Sequence, residues 1–130
     1  MQILVAYASR KGSTGEIALA IGKELEAGGH QVMVSHLEDV SSLEGHDAVV
    51  MGAPVYTGHI DEELRKFVQR NNNGLKTIPV AAFAVGLAPV NPKIGSSAAL
   101  VEQLKGIVGP ANLVAVKVLP GNWTPQSIRL

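Results

Sequence analysis

The stretch Ile3-Leu4-Val5-Ala6-Tyr7-Ala8-Ser9-Arg10-Lys11-Gly12-Ser13-Thr14-Gly15-Glu16-Ile17 changes character twice within fifteen residues. Ile3 to Ala8 is a continuous apolar run, as expected of a strand buried on both faces, and so of a parallel sheet. Ser9 to Gly15 is polar and contains two glycines. Beyond it, Ile17, Ile21 and Leu25 recur at helical spacing with Ala18 and Gly22 beside them, giving one apolar face. Ser13-Thr14-Gly15-Glu16 has the spacing of a capping box at the start of that helix, and Gly28-Gly29 ends it.

The same alternation continues outward. Gln31 to Leu37 reads as a second strand, with the clearer alternation of an edge strand. Glu38 to His46 is too short and polar for a long helix, although Val40 and Leu43 could supply one turn. Asp47 to Ala53 is a third strand, and Pro54 to Ile60 reads as a loop. A helix then starts at about Asp61, capped by that residue, with Leu64, Phe67 and Val68 facing inward and Asn71-Asn72-Asn73-Gly74 stopping it. Ile78 to Gly86 is the fourth strand and Leu87 to Gly95 a proline-rich loop. Ser97 to Val108 is a helix presenting Leu100, Val101, Leu104 and Val108, and Asn112 to Leu119 is the fifth strand. Right-handed crossovers make this an α/β fold, a doubly wound five-stranded parallel sheet. Residues 1–130 are expected to form one domain. Ligands of such sheets bind beyond the carboxyl ends of the strands where the winding reverses, so function is sought in loops 9–15, 54–60 and 87–96.

Composition removes several classes of function. Eleven basic and eleven acidic residues cancel, so nothing steers the chain toward nucleic acid or anionic lipid. There is no cysteine, which excludes disulfides, thiolate metal sites and cysteine nucleophiles, including those of the small phosphatases. The longest uncharged stretch, Thr77 to Pro92, has three prolines and falls short of a spanning helix, so no integral membrane segment is expected. No secretory signal is visible at the N-terminus, which makes a cytoplasmic location the expectation. His30, His36 and His46 lie near turns without metal-ligand spacing and read as surface residues, so no metal site is expected. No trio of His, acid and hydroxyl is recognisable, so no catalytic residue is assigned.

Loop 9–15 has the chemistry of an anion site. Ser9, Ser13 and Thr14 supply hydroxyls, Gly12 and Gly15 allow close backbone approach, Arg10 and Lys11 add charge, and a helix N-terminus follows. Glu16 brings a negative charge into the first turn and counts against it. The fingerprints G-x-G-x-x-G and G-x-x-x-x-G-K-[ST] are both absent, which leaves a phosphate monoester, and a mononucleotide such as FMN fits. Loop 54–60 reads Pro54-Val55-Tyr56-Thr57-Gly58-His59-Ile60, with Tyr56 as a stacking platform for a planar ring. Gly86, Leu87 and Ala88 open the third loop, which has no aromatic and could wall a ring without stacking on it.

With loops and element order in place, residues 1–119 resemble the flavodoxin superfamily, and the resemblance implies the strand order 2-1-3-4-5. Ser9-Arg10-Lys11-Gly12-Ser13-Thr14 resembles its phosphate loop, with Lys11 where a hydroxyl residue is usual. Gly52-Ala53-Pro54-Val55-Tyr56-Thr57-Gly58 resembles its second loop, which supplies an aromatic against the isoalloxazine. The nearest branch by these motifs, with His59 and Phe67-Val68, is the one that includes menaquinone-dependent protoporphyrinogen IX dehydrogenases. The resemblance implies FMN as cofactor, bound by Ser9, Arg10, Lys11, Gly12, Ser13 and Thr14 at the phosphate. Pro54, Val55, Tyr56, Thr57 and Gly58 would lie at the ring, and Gly86, Leu87 and Ala88 at its edge. With eleven residues after the fifth strand, the usual C-terminal helix of the family and a longer segment of the porphyrinogen enzymes are not expected in residues 1–130. One sheet face is then left open, to be covered by the tail with Trp123 or by a second subunit in a homodimer.

Three readings follow. The first is an FMN-dependent oxidoreductase acting on a quinone- or porphyrinogen-type substrate, favoured over an electron-transfer carrier with a redox partner protein because carriers are strongly acidic and this chain is neutral. The second, a phosphoryl-accepting receiver domain, needs acidic residues after the first strand and an Asp ending the third. The chain has Ala8-Ser9 and Gly52-Ala53-Pro54 there, so it is excluded. The third is a cofactor-free interaction module on the same fold.

Overall fold

The computed structural model describes residues 1–8, 13–56, 59–86, 97–109 and 112–120, with Ser13, Tyr56, Ser97, Ala98, Asn112 and Pro120 described by their backbone alone. Five parallel strands form the sheet: β1 (Gln2–Tyr7), β2 (Gln31–His36), β3 (Ala48–Tyr56), β5 (Pro79–Gly86) and β6 (Asn112–Pro120), in the order β2-β1-β3-β5-β6. A two-residue strand, β4 (His59–Ile60), pairs antiparallel with the end of β3. Apart from β4, this is the expected 2-1-3-4-5 order. The helices are α1 (Ser13–Ala27), α2 (Glu62–Arg70), the single turn α3 (Asn72–Leu75) and α4 (Ser97–Val108).

The continuous apolar runs are parallel strands because both faces of the sheet are covered. On one face α2 and α4 seal a core that includes Leu4, Met51, Phe67, Ala82 and Leu104. On the other, α1 lays Ile17, Ala18 and Ile21 over Val5, Phe83 and Val85. Leu64, Phe67 and Val68 are buried on α2 as expected, and Asp61 caps that helix, accepting from the Glu63 N–H at 2.9 Å. Gly29, at φ 94°, gives the left-handed turn that ends α1.

Three sequence boundaries shift. Leu37 leaves β2 and opens a 3₁₀ turn, Leu37–Asp39, that buries it against α2. Asn71 caps α2 but the chain makes one more turn, α3, before β5. Most consequential, Pro54, Val55 and Tyr56 belong to β3 and not to a loop. Ladder pairing continues past Ala53 because β5 runs on beside it, with Pro54 opposite Val85. The Gly52 carbonyl faces β1 and accepts from Ala8 at 2.9 Å, so Pro54, two residues on, faces the side where β1 pairing has ended. Its missing N–H therefore breaks no ladder bond. The Pro54 carbonyl there accepts from the Asp61 N–H at 2.9 Å, closing the β3–β4 hairpin.

Edge strand β6 carries a bulge. Val80 pairs with Leu113 and Ala81 with Ala115, so Val114 is extra and 63% exposed. On the α1 side of the sheet β6 presents Ala115 and Lys117, both exposed, and the half-buried Leu119. Residues 121–130, which include Trp123, lie outside the described residues, and with them the expectations about a C-terminal helix and a covering tail.

Candidate functional site

Strands β1, β3 and β5 bring their carboxyl ends to one edge, and β1 is the strand with neighbours added on both sides, which is the switch point. The Ala8 N–H to Gly52 carbonyl bond ties the end of β1 to β3. The chain re-enters the described structure at Ser13, already helical, so α1 directs its N-terminus and its first-turn N–H groups, which have no partner within the helix, at that edge. Thr14 lies in that first turn, 2% exposed. Gly15 rests on the Tyr7 ring. A Cβ there would come 3.2 Å from Cε2 and 3.5 Å from Cζ, so the first turn of α1 is seated on an aromatic from β1.

The second wall is the β3–β4 hairpin. Tyr56 pairs with His59 and Val55 with Ile60, so the backbone of Tyr56 is held by a ladder. The Ile60 N–H donates to Gln103 Oε1 at 2.7 Å, tying the hairpin to α4. Gly86, at the end of β5, lies so close to β3 that a Cβ would come 2.7 Å from Val55 Cβ. A glycine is needed there for the two strand ends to approach.

Of the residues singled out from the sequence, Ser13, Thr14, Pro54, Val55, Tyr56 and Gly86 converge on this edge. Ser9, Arg10, Lys11, Gly12, Thr57, Gly58, Leu87 and Ala88 lie outside the described residues. His36 was read as a plain surface residue. It is exposed, yet its ring stacks on Tyr7 with centroids 4.7 Å apart and planes at 40°, and Tyr7 Oη and His36 Nε2 are 3.4 Å apart. The two residues lie opposite each other in the β1–β2 register, a relation that neither local sequence contains. His30 and His46 are half-buried, and the Nδ1 of each has no hydrogen-bond partner among the described residues.

Among the described residues, cavities lie at both edges of the sheet. One of about 230 Å³ at the same carboxyl edge is lined by Tyr7, Ala8, His36, Glu38, Asp61 and Glu63, among others. A larger one of about 670 Å³, with Ser41, His46, Arg70 and Asn72 in its lining, lies at the opposite edge, where β3 and β5 begin. Arg70 there is already committed to the Leu37 carbonyl at 3.0 Å. The larger volume is thus remote from every strand end that meets α1, and the carboxyl edge is the candidate site. Among the described residues no group of three or more His, Asp or Glu could hold a metal ion, and no helix is long and apolar enough to cross a membrane.

Comparison with known proteins agrees with this architecture. Residues 4–121 match the family model described as the flavodoxin domain. The protoporphyrinogen IX dehydrogenase [quinone] of Escherichia coli K12 is 30% identical over 95 residues, which are 72% of this chain and 52% of that protein. The chain therefore spans about half the length of the curated relatives it matches. Among solved structures, oxidised flavodoxin 2 of Bacillus cereus superposes with a TM-score of 0.71 at 23% identity, covering 92% of this chain and 84% of that one. A flavodoxin from the domain Archaea gives 0.69 at 21% identity, covering 92% and 83%. At such identities these two structures establish the shared fold.

Proposed function

The chain belongs to the flavodoxin-domain family, and we propose on that footing that it binds FMN at the carboxyl edge of its sheet and acts as an oxidoreductase. Its substrate would be of the quinone or porphyrinogen type. The observation that carries this is the convergence of the ends of β1, β3 and β5 on the N-terminus of α1, with Gly15, Gly52 and Gly86 each too close to a neighbour to bear a side chain freely. The donor set fits a phosphate monoester: first-turn N–H groups, the Thr14 region, and the hydroxyls and cations of Ser9, Arg10, Lys11 and Ser13, with Gly12 giving backbone access.

In this reading FMN, when bound, supplies the electron transfer, and the chain's residues bind and orient it. Ser9, Lys11, Gly12, Ser13 and Thr14 hold the phosphate, with Arg10 adding charge. Tyr56, fixed at its backbone by the His59 pairing, lies against the ring with Pro54, Val55, Thr57 and Gly58 around it. Gly86, Leu87 and Ala88 border the ring edge. No side chain of the chain is required as acid or base. The likeness to the dehydrogenase named above supports a quinone as electron acceptor and a porphyrinogen as donor.

An electron carrier is the second reading. Although the net charge is zero, Glu38 and Asp39 are exposed beside the site, with Glu62 and Glu63 nearby. A local acidic rim of this kind would favour docking of a basic protein partner.

The test is a visible spectrum of the purified protein after incubation with FMN and desalting. A retained flavin at about one per chain is expected, followed by quinone-dependent oxidation of protoporphyrinogen read as porphyrin fluorescence. Retained flavin with no turnover, but rapid exchange with a basic redox protein, would favour the carrier. A folded chain that takes up no flavin would overturn both and favour the cofactor-free module.

A further inference from the structure

Tyr7 and His36 are not used by the redox reading, and their geometry gives them a task. Tyr7 is the last residue of β1, and its ring leaves the sheet on the face that α1 covers. Gly15 lies directly on that ring, with a would-be Cβ 3.2, 3.5 and 3.6 Å from Cε2, Cζ and Oη. On the β2 side the ring is backed by His36, 4.7 Å away between centroids. The aromatic is therefore wedged between the end of β2 and the first turn of α1.

That turn is the one whose first N–H groups, without partners inside the helix, face the carboxyl edge. An anion held there is held by groups that point in a fixed direction, and the height of the turn over the sheet sets where they point. We propose that Tyr7 is a positioning residue for the phosphate of the bound mononucleotide, acting through Gly15, with His36 as its buttress. The proposal rests on the FMN reading above. The ring itself carries the effect, because Gly15 touches ring carbons, while the 3.4 Å approach of Oη to His36 Nε2 is a long and secondary contact.

Two ligands separate this role from a general contribution to stability. Riboflavin has the same ring as FMN and no phosphate, so a defect passed through α1 affects FMN alone. With the purified full chain, FMN and riboflavin affinities are measured by titration of flavin fluorescence for the native protein, Tyr7→Ala, Tyr7→Phe and His36→Leu. Tyr7→Ala is expected to weaken FMN binding by about 10- to 100-fold, by analogy with the loss when an outer-shell partner of a metal ligand is removed. Its riboflavin affinity should stay within about threefold of the native value. Tyr7→Phe, which keeps the ring, should restore FMN affinity to within about threefold, and His36→Leu should fall between.

Should Tyr7→Ala fail to fold, Gly15→Ala serves in its place. Its new methyl would come 3.2 Å from the ring, so ring and turn must separate by a few tenths of an ångström, while alanine suits a helix better than glycine. It too should lose FMN preferentially. Native FMN affinity in both Tyr7→Ala and Gly15→Ala, equal losses of FMN and riboflavin, or a Tyr7→Phe variant as weak as Tyr7→Ala would each overturn the proposal while leaving the FMN reading intact. A native chain that binds no FMN would overturn the FMN reading, and this one with it.

Discussion

Replacing Gly52 by alanine tests how the α1 face of the sheet is closed. Gly52 on β3 pairs with Phe83 on β5, and the Phe83 ring lies across the glycine. A Cβ at position 52 would come 2.0, 2.3 and 2.4 Å from Cζ, Cε1 and Cε2 of that ring. Ordinary contact needs about 3.5 Å, so the ring would have to move by roughly 1.5 Å. It has little room, being 3% exposed and packed among Val5, Ile17, Ala18, Ile21 and Val85. Overpacking of this kind costs about 1–3 kcal/mol, and a clash this deep belongs at the top of that range. Against it stands a gain of about 0.4–1 kcal/mol, because alanine restricts the unfolded chain more than glycine does. The net expectation is a loss of about 2 kcal/mol, a large share of the ~5–15 kcal/mol that holds a domain of this size together.

Urea unfolding followed by circular dichroism measures this. Phe83→Ala alone should cost about 3–5 kcal/mol through the void it leaves. In the double variant the new methyl occupies part of that void, so the combined loss should fall short of the sum by about 2 kcal/mol. A Gly52→Ala protein as stable as the native one or more so, or losses that simply add, would refute this account of the Gly52–Phe83 contact.

Three further outcomes are expected. Asp61→Ala removes the cap on α2 that holds the Glu63 N–H, at a residue 6% exposed, and should cost about 1–2 kcal/mol by the same unfolding assay. Phe67→Ala empties a site that is 0% exposed in the larger core, and a loss of about 3–5 kcal/mol is expected in its urea midpoint. Gly12→Asp would set a carboxylate in the proposed phosphate loop and should abolish FMN retention on desalting; unchanged FMN affinity would refute that loop's role.

The parallel sheet covered on both faces was legible because the chain states it locally, whereas the strand order came with the family resemblance. Ile3 to Ala8 and Ile78 to Gly86 are unbroken apolar runs, and unbroken runs suit strands covered on both sides. The helix at 62–70 was equally plain, since Asp61 caps it and Leu64, Phe67 and Val68 share one face. Pro54 to Tyr56 misled because proline suggests the end of a strand, and only the point where β1 stops pairing makes a proline acceptable there. Leu37 misled in the opposite way, as an apolar residue continuing an apolar strand that α2 instead draws into a separate turn.

Residue order alone determined the fold class and the neighbourhoods of the three strand ends, and it carries the proposal of a phosphate site at residues 9–15, because periodicity, glycine placement and capping are properties of neighbours along the chain. Tertiary structure decided the contacts that give particular residues their tasks. Phe83 over Gly52, Tyr7 beneath Gly15 and His36 behind Tyr7 all depend on which residues of different strands and helices come to lie opposite one another. Register is fixed by packing across the whole sheet, so a glycine or a histidine looks the same in the sequence whether or not an aromatic ring lies against it.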